Sequence, residues 1–146
     1  SALVSLNPGF GAVLPFRPGL AVIDCGRWEG DEAVYSLVSA ADLVLVMLRP
    51  TIAGVEQARN LLAELDGLAQ RVELVCIGDR PYHPHEVARA LGLPRVLSLA
   101  DDPRSAAVVR SGAALDRWFR RSPLIHSTRQ LLDDIVKITS KKQVSA

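Results

Sequence analysis

The chain has 146 residues, 49% hydrophobic and 23% charged, with a formal net charge of +1. That length suits one domain of ordinary size, able to bury roughly two thirds of its unfolded surface, and the composition excludes disorder, collagen and coiled coil. No apolar run reaches the roughly 18 residues of a membrane span, the N-terminal SALVSLNPGF lacks the pattern of a signal peptide, and a cysteine content of only Cys25 and Cys76 fits a reducing, cytoplasmic setting.

In chain order, residues 1–19 read as irregular, with residues 2–6, ALVSL, composed like a strand and the NPGFG and FRPG segments rich in turn formers. Residues 20–24, LAVID, form a short apolar run ending in an acid. Residues 42–48, DLVLVML, and 72–77, VELVCI, are almost wholly apolar, and 95–99, RVLSL, less so. Apolar runs without alternation predict strands covered on both faces, and hence a parallel sheet. Helical spacing separates them. Residues 31–41 place Val34, Leu37, Val38 and Ala41 on one stripe. Residues 52–66 do so with Ile52, Val55, Ala58, Leu61, Leu62 and Leu65, opened by Thr51 as N-cap and closed by Gly67. Residues 84–91 open with Pro84 and stop at Gly92. This alternation over residues 20–102 predicts a single α/β domain, a parallel sheet with helices on both faces.

The last third, residues 103–146, predicts helices over 103–121, with a break at Gly112, and over 127–139. Ser127 and Gln130 would form a capping box for the second. Leu131, Leu132, Ile135, Val136 and Ile138 would face the sheet. Asp133 and Asp134 in its middle argue against a membrane-surface helix. Charge is also divided here: residues 1–102 hold 8 basic and 13 acidic side chains, residues 103–146 hold 9 basic and 3 acidic. A basic third suits either a solvated helical face or an anionic partner such as DNA. Fourteen of the seventeen basic residues are Arg, a bias that fits a GC-rich bacterial genome.

Ligands in open α/β sheets bind beyond the carboxyl ends of the strands. Asp24 stands there, after Ala21-Val22-Ile23 and before Cys25-Gly26. It is either a Mg²⁺-side carboxylate acting through water or a turn cap.

The run from residue 20 to about 140 resembles the second half of a MinD/ParA-type deviant P-loop ATPase. The resemblance rests on Val22-Ile23-Asp24-Cys25, then Gly30-Asp31-Glu32, then Ala41-Asp42-Leu43-Val44-Leu45-Val46 and Pro50. It continues through Leu74-Val75-Cys76-Ile77-Gly78-Asp79-Arg80, Leu91-Gly92-Leu93-Pro94-Arg95-Val96, Asp101-Asp102 and Val109-Arg110-Ser111-Gly112. It implies a P-loop NTPase-like fold, truncated or degenerate, and a role in positioning or partitioning chromosomes, plasmids, division sites or flagella. It implies that Asp24 supports Mg²⁺ and couples hydrolysis to a switch loop at residues 25–31. It further places Pro50, Asp79 and Arg80 at the nucleotide. Asp79 stands where the family commonly has an Asn, and a carboxylate accepts but does not donate a hydrogen bond. Gly26-Arg27-Trp28 replaces the prolines that follow the family's Asp.

The phosphate loop G-x-x-x-x-G-K-S/T does not occur in the chain. Its three lysines are Lys137, Lys141 and Lys142, and Asn7-Pro8-Gly9-Phe10-Gly11 is followed by no Lys. The chain by itself is therefore expected to need no cofactor, with Mg·ATP relevant only if a longer parent supplies that loop. In the resembled fold the phosphate-loop strand lies between the strands matching 20–24 and 42–48, and residues 2–6 or a second copy would have to replace it. The expected activity is that of a nucleotide-independent interaction module with a protein partner or a homodimer. The alternatives are a fragment of an active ATPase and a nucleic-acid-binding module.

Three further groups of residues could make contacts. Arg27 and Trp28 suit either a partner contact or a lid over the local core. Arg117, Arg120 and Arg121 with Trp118 suit an anion or nucleic-acid contact, against a helix that packs Trp118 and Leu115 inward. His83-Pro84-His85 with Glu86 has too few ligands for zinc, and Pro84 is expected to keep the two rings apart.

Overall fold

A computed structural model of the chain describes residues 13–17, 20–28, 30 and 32–140. Internal packing groups the chain into two compact units, Ser1–Ala40 and Ala41–Ala146.

In the first unit, β1 (Val13–Arg17) pairs antiparallel with β2 (Leu20–Ile23), with Val13 opposite Ile23 and Leu14 opposite Val22. This corrects two expectations. Residues 13–17 form a strand inside the stretch read as irregular, and residues 20–23 pair within this hairpin rather than in the parallel sheet. Only two residues separate the two strands, which suffices for an antiparallel connection and never for a parallel crossover. Pro15 hid β1 from a pattern reading, because proline is confined to edge strands and irregular pairings, and the register shifts just after it, between Pro15 and Arg17. The candidate strand at residues 2–6 lies outside the described residues. Helix α1 (Glu32–Ala40) follows and buries Val34 and Val38, two members of the predicted stripe.

The second unit carries the parallel sheet. Strands β3 (Val44–Leu48), β4 (Val72–Ile77) and β5 (Leu97–Leu99) lie in that order, with Val44 opposite Val72 and Val75 opposite Leu97. Helix α2 (Ile52–Leu65) crosses from β3 to β4, and α3 (Pro84–Ala90) from β4 to β5. Both crossovers step the same way along the sheet, so their common right hand puts α2 and α3 on one face. Helices α4 (Pro103–Ser111) and α5 (Pro123–Ser140) follow, and α5 packs on β5.

The core follows the pleat. Val75, Leu97 and Ile138 form a buried cluster with Leu43, Leu45, Leu99 and Leu131 packed against it, so odd-numbered residues of β3 and β4 face α5. Val46, Leu48, Leu74 and Cys76 alternate to the opposite face and are equally buried. Burial on both faces is why these strands read as unbroken apolar runs.

Local signals set the helix ends. The Gly54 N–H donates to Thr51 Oγ1 at 3.0 Å, the predicted cap. Gly112 ends α4 in the left-handed region at φ 65°, where a side chain would be strained. The last helix begins four residues before its predicted start. Ser122 and Pro123 open it, with the Ile125 N–H donating to Ser122 Oγ at 3.3 Å. Ser127 lies inside the helix and does not cap it. Its hydroxyl donates back to Pro123 O (2.9 Å) and accepts from the Ala100 N–H (3.0 Å), tying α5 to the end of β5.

Candidate functional site

The carboxyl edge of the parallel sheet is built by three connections. After β3 come Arg49, Pro50 and Thr51; after β4 come Gly78 to Tyr82; after β5 come Ala100, Asp101 and Asp102. Strands that run the same way must release their chains at one edge, so these residues converge without being close in sequence. Arg49 Nη1 lies 2.6 Å from Asp101 Oδ2, and Nη2 lies 3.4 Å from Oδ1. This forked ion pair reaches from the end of β3 to the end of β5, across β4. Gly78 lies beneath it, its N–H donating to Leu99 O at 2.8 Å. The Tyr82 N–H donates to Pro50 O at 3.3 Å, which joins the first two connections.

The predicted nucleotide residues fall at this edge with different exposures. Pro50 is buried, whereas Asp79 and Arg80 are exposed. Arg49 stands directly after a strand of the parallel sheet, the position the sequence assigned to Asp24, which instead follows an antiparallel hairpin strand. The edge also holds Asp102, whose Oδ2 accepts from the Ser105 hydroxyl at 2.6 Å and Oδ1 from the Ser105 N–H at 3.0 Å.

No family model matches the chain, and no curated protein matches it. A crystal structure of a ParA family ATPase from Chlorobium tepidum TLS does match, with a TM-score of 0.56 and 16% identity over 66% of this chain and 43% of that one. The fold is ParA-like. The chain corresponds to less than half the length of that ATPase.

A ParA-like fold raises Mg·ATP as a ligand of the carboxyl edge, and the side chains there do not fit it. Among the described residues three carboxylates, Asp79, Asp101 and Asp102, stand at the edge against two cations, the exposed Arg80 and Arg49, whose guanidinium is held by Asp101. A polyphosphate needs convergent N–H donors and free cations, and carboxylates repel it. No step is therefore derived through that ligand.

In the first unit, Asp24 is exposed and its Oδ1 accepts from the Gly26 N–H at 2.8 Å, a turn-capping bond. Burial first, and then the charge of Asp24, raise the Cys25 thiol above its ordinary value. Arg27 is exposed, and Trp28 meets Tyr35 edge-to-face with ring centroids 5.1 Å apart.

The basic third has its own geometry. A short 3₁₀ turn spans Phe119–Arg121. Leu115 and Trp118 were the residues expected to pack inward; they are 54% and 37% exposed, and Phe119 is the one buried, at 4%. A 3₁₀ turn rotates each residue by about a third of a circle, so neighbours cannot share a face. Arg117 and Arg121 line a hollow with Trp118, and Arg120 is exposed beside it. Arg104 lies over the Trp118 ring at 3.8 Å, a contact fourteen positions apart with no local sequence signal.

His83 and His85 also depart from expectation. Their rings stack with centroids 5.7 Å apart and planes 15° apart, because Glu86 accepts from the His83 N–H at 2.8 Å and fixes the turn. Among the described residues no group of three or more His, Cys, Asp or Glu is placed to hold a metal ion, and no helix is long and apolar enough to cross a membrane.

Proposed function

We propose that the chain is an interaction module of a positioning or partitioning system, acting through a protein partner or a second copy rather than by turning over nucleotide itself. The observation that carries this reading is the Arg49–Asp101 pair at 2.6 Å, which spends the edge's leading cation on an internal contact. The ParA-like fold supports the class of system. The absence of a glycine-lysine phosphate loop from these 146 residues supports the nucleotide-independent mode.

The test is calorimetric titration of the 146-residue chain with Mg·ATP, beside a phosphate-release assay and sedimentation with and without nucleotide. The reading expects no micromolar saturable binding of Mg·ATP, no phosphate above the buffer rate, and one sedimentation profile. Saturable micromolar binding accompanied by phosphate release would overturn it and make the chain an ATPase in its own right.

A further inference from the structure

The turn that carries Phe119 holds the chain by that residue and leaves its neighbour outside. The Phe119 N–H donates to Asp116 Oδ1 at 2.7 Å and the ring is buried, so Trp118 is presented outward at 37% exposure. Arg104, in the first turn of α4, lays its guanidinium 3.8 Å from the indole centroid. Arg117, Trp118, Arg121, Ser122 and Pro123 line a shallow, open hollow of about 490 Å³. Charge here is mostly positive: residues 103–123 carry Arg104, Arg110, Arg117, Arg120 and Arg121 against one acid, Asp116, whose carboxylate caps the turn, and Asp102 just before them faces Arg104 electrostatically.

Two chemistries meet in this hollow. Stacking uses the π face of a guanidinium and leaves its in-plane N–H donors for an oxyanion. Arg104 covers one face of the indole, and the part of Trp118 left exposed among the arginines offers an apolar surface that a bare phosphate does not use. A nucleobase matches it, provided its own face is free; in a duplex both faces are covered by neighbouring pairs.

We propose that this hollow binds an unpaired nucleotide unit, its base stacked on Trp118 and its phosphate held by Arg117 and Arg121, as single-stranded nucleic acid or a free nucleotide presents it. Arg120 and Arg104 extend the cationic track for a neighbouring phosphate. The site uses neither residue of the Arg49–Asp101 ion pair.

The experiment is fluorescence titration in a Trp28→Phe background, where Trp118 is the sole indole. The probes are a single-stranded oligothymidylate, thymidine monophosphate, and a duplex of the same length as the oligomer. The oligomer is expected to quench Trp118, with affinity falling as salt rises. Quenching by the monophosphate as well assigns the site to free nucleotides too; quenching by the oligomer alone assigns it to a strand. Trp118→Ala should weaken oligomer binding by about tenfold, the scale of one lost base stack, and Trp118→Phe should restore most of it. Arg117→Gln with Arg121→Gln should reduce the salt slope by about one to two. The proposal is overturned if neither the oligomer nor the monophosphate quenches Trp118 at low salt. It is also overturned if Trp118→Ala binds as the parent does, or if the duplex binds at least as tightly as the strand. Quenching is read on the native tryptophan, so the decision does not depend on any Trp118 variant folding.

Discussion

Gly78 is seated directly under Asp101: a β-carbon at position 78 would lie 3.1 Å from Asp101 Cβ, and the backbone there has φ +83°. Both facts require glycine. The left-handed backbone strains a side chain by about 1–2 kcal/mol, and the contact would push Asp101 away from Arg49. Gly78→Ala is therefore expected to destabilise the chain by at least that amount, read as a lower urea midpoint with unchanged slope. An unchanged midpoint would mean that the turn relaxes freely.

Asp102 and Ser105 define a pH dependence. The Ser105 hydroxyl and N–H, together with the Leu124 N–H, hold the Asp102 carboxyl below the ordinary carboxylate value. A depressed folded value stabilises the protein above the unfolded value, about 3.9, and that stabilisation is lost as pH falls through the folded one. The thermal midpoint should drop between pH 5 and pH 2.5, and Asp102→Asn should flatten part of that drop. Parallel curves for both proteins would remove Asp102 from the account.

Leu74 tests the core. It is 2% exposed at the centre of β4, between two parallel neighbours. Leu74→Ala removes buried methyl groups and leaves a cavity, at a cost of about 2–5 kcal/mol. Chemical denaturation should show this as a large midpoint shift, whereas Ile52→Ala, at a position 69% exposed, should shift it little.

Cys25 reports on Asp24. Its thiol is raised first by burial and then by the Asp24 charge. Asp24→Asn removes only the second cause, so the thiol value should fall without reaching the ordinary one. Alkylation rates across pH 7 to 10, with Cys76→Ser to leave one thiol, would read the shift. An identical profile would place the Asp24 charge out of reach of the sulfur.

The parallel strands were legible because burial on both faces removes alternation, and α2 was legible because its cap is local: Thr51 and Gly54 are three residues apart. The candidate sites were less so. The sequence pointed to Asp24, which ends a hairpin strand outside the parallel sheet, whereas the Arg49–Asp101 pair on the sheet's carboxyl edge joins residues fifty-two positions apart. Trp118 and Phe119 are equally plausible as core anchors by composition, and only the 3₁₀ geometry distinguishes them.

By itself, then, the sequence determined what depends on neighbours along the chain: the apolar strands, the capped helices, the missing phosphate loop and the basic final third. Tertiary structure decided what depends on neighbours in space. It paired β2 with β1, joined Arg49 to Asp101, and laid Arg104 over Trp118. Hydrophobic periodicity is written in consecutive residues. A salt bridge or a ring contact needs two distant segments brought to a few ångströms, and only the folded backbone sets that distance.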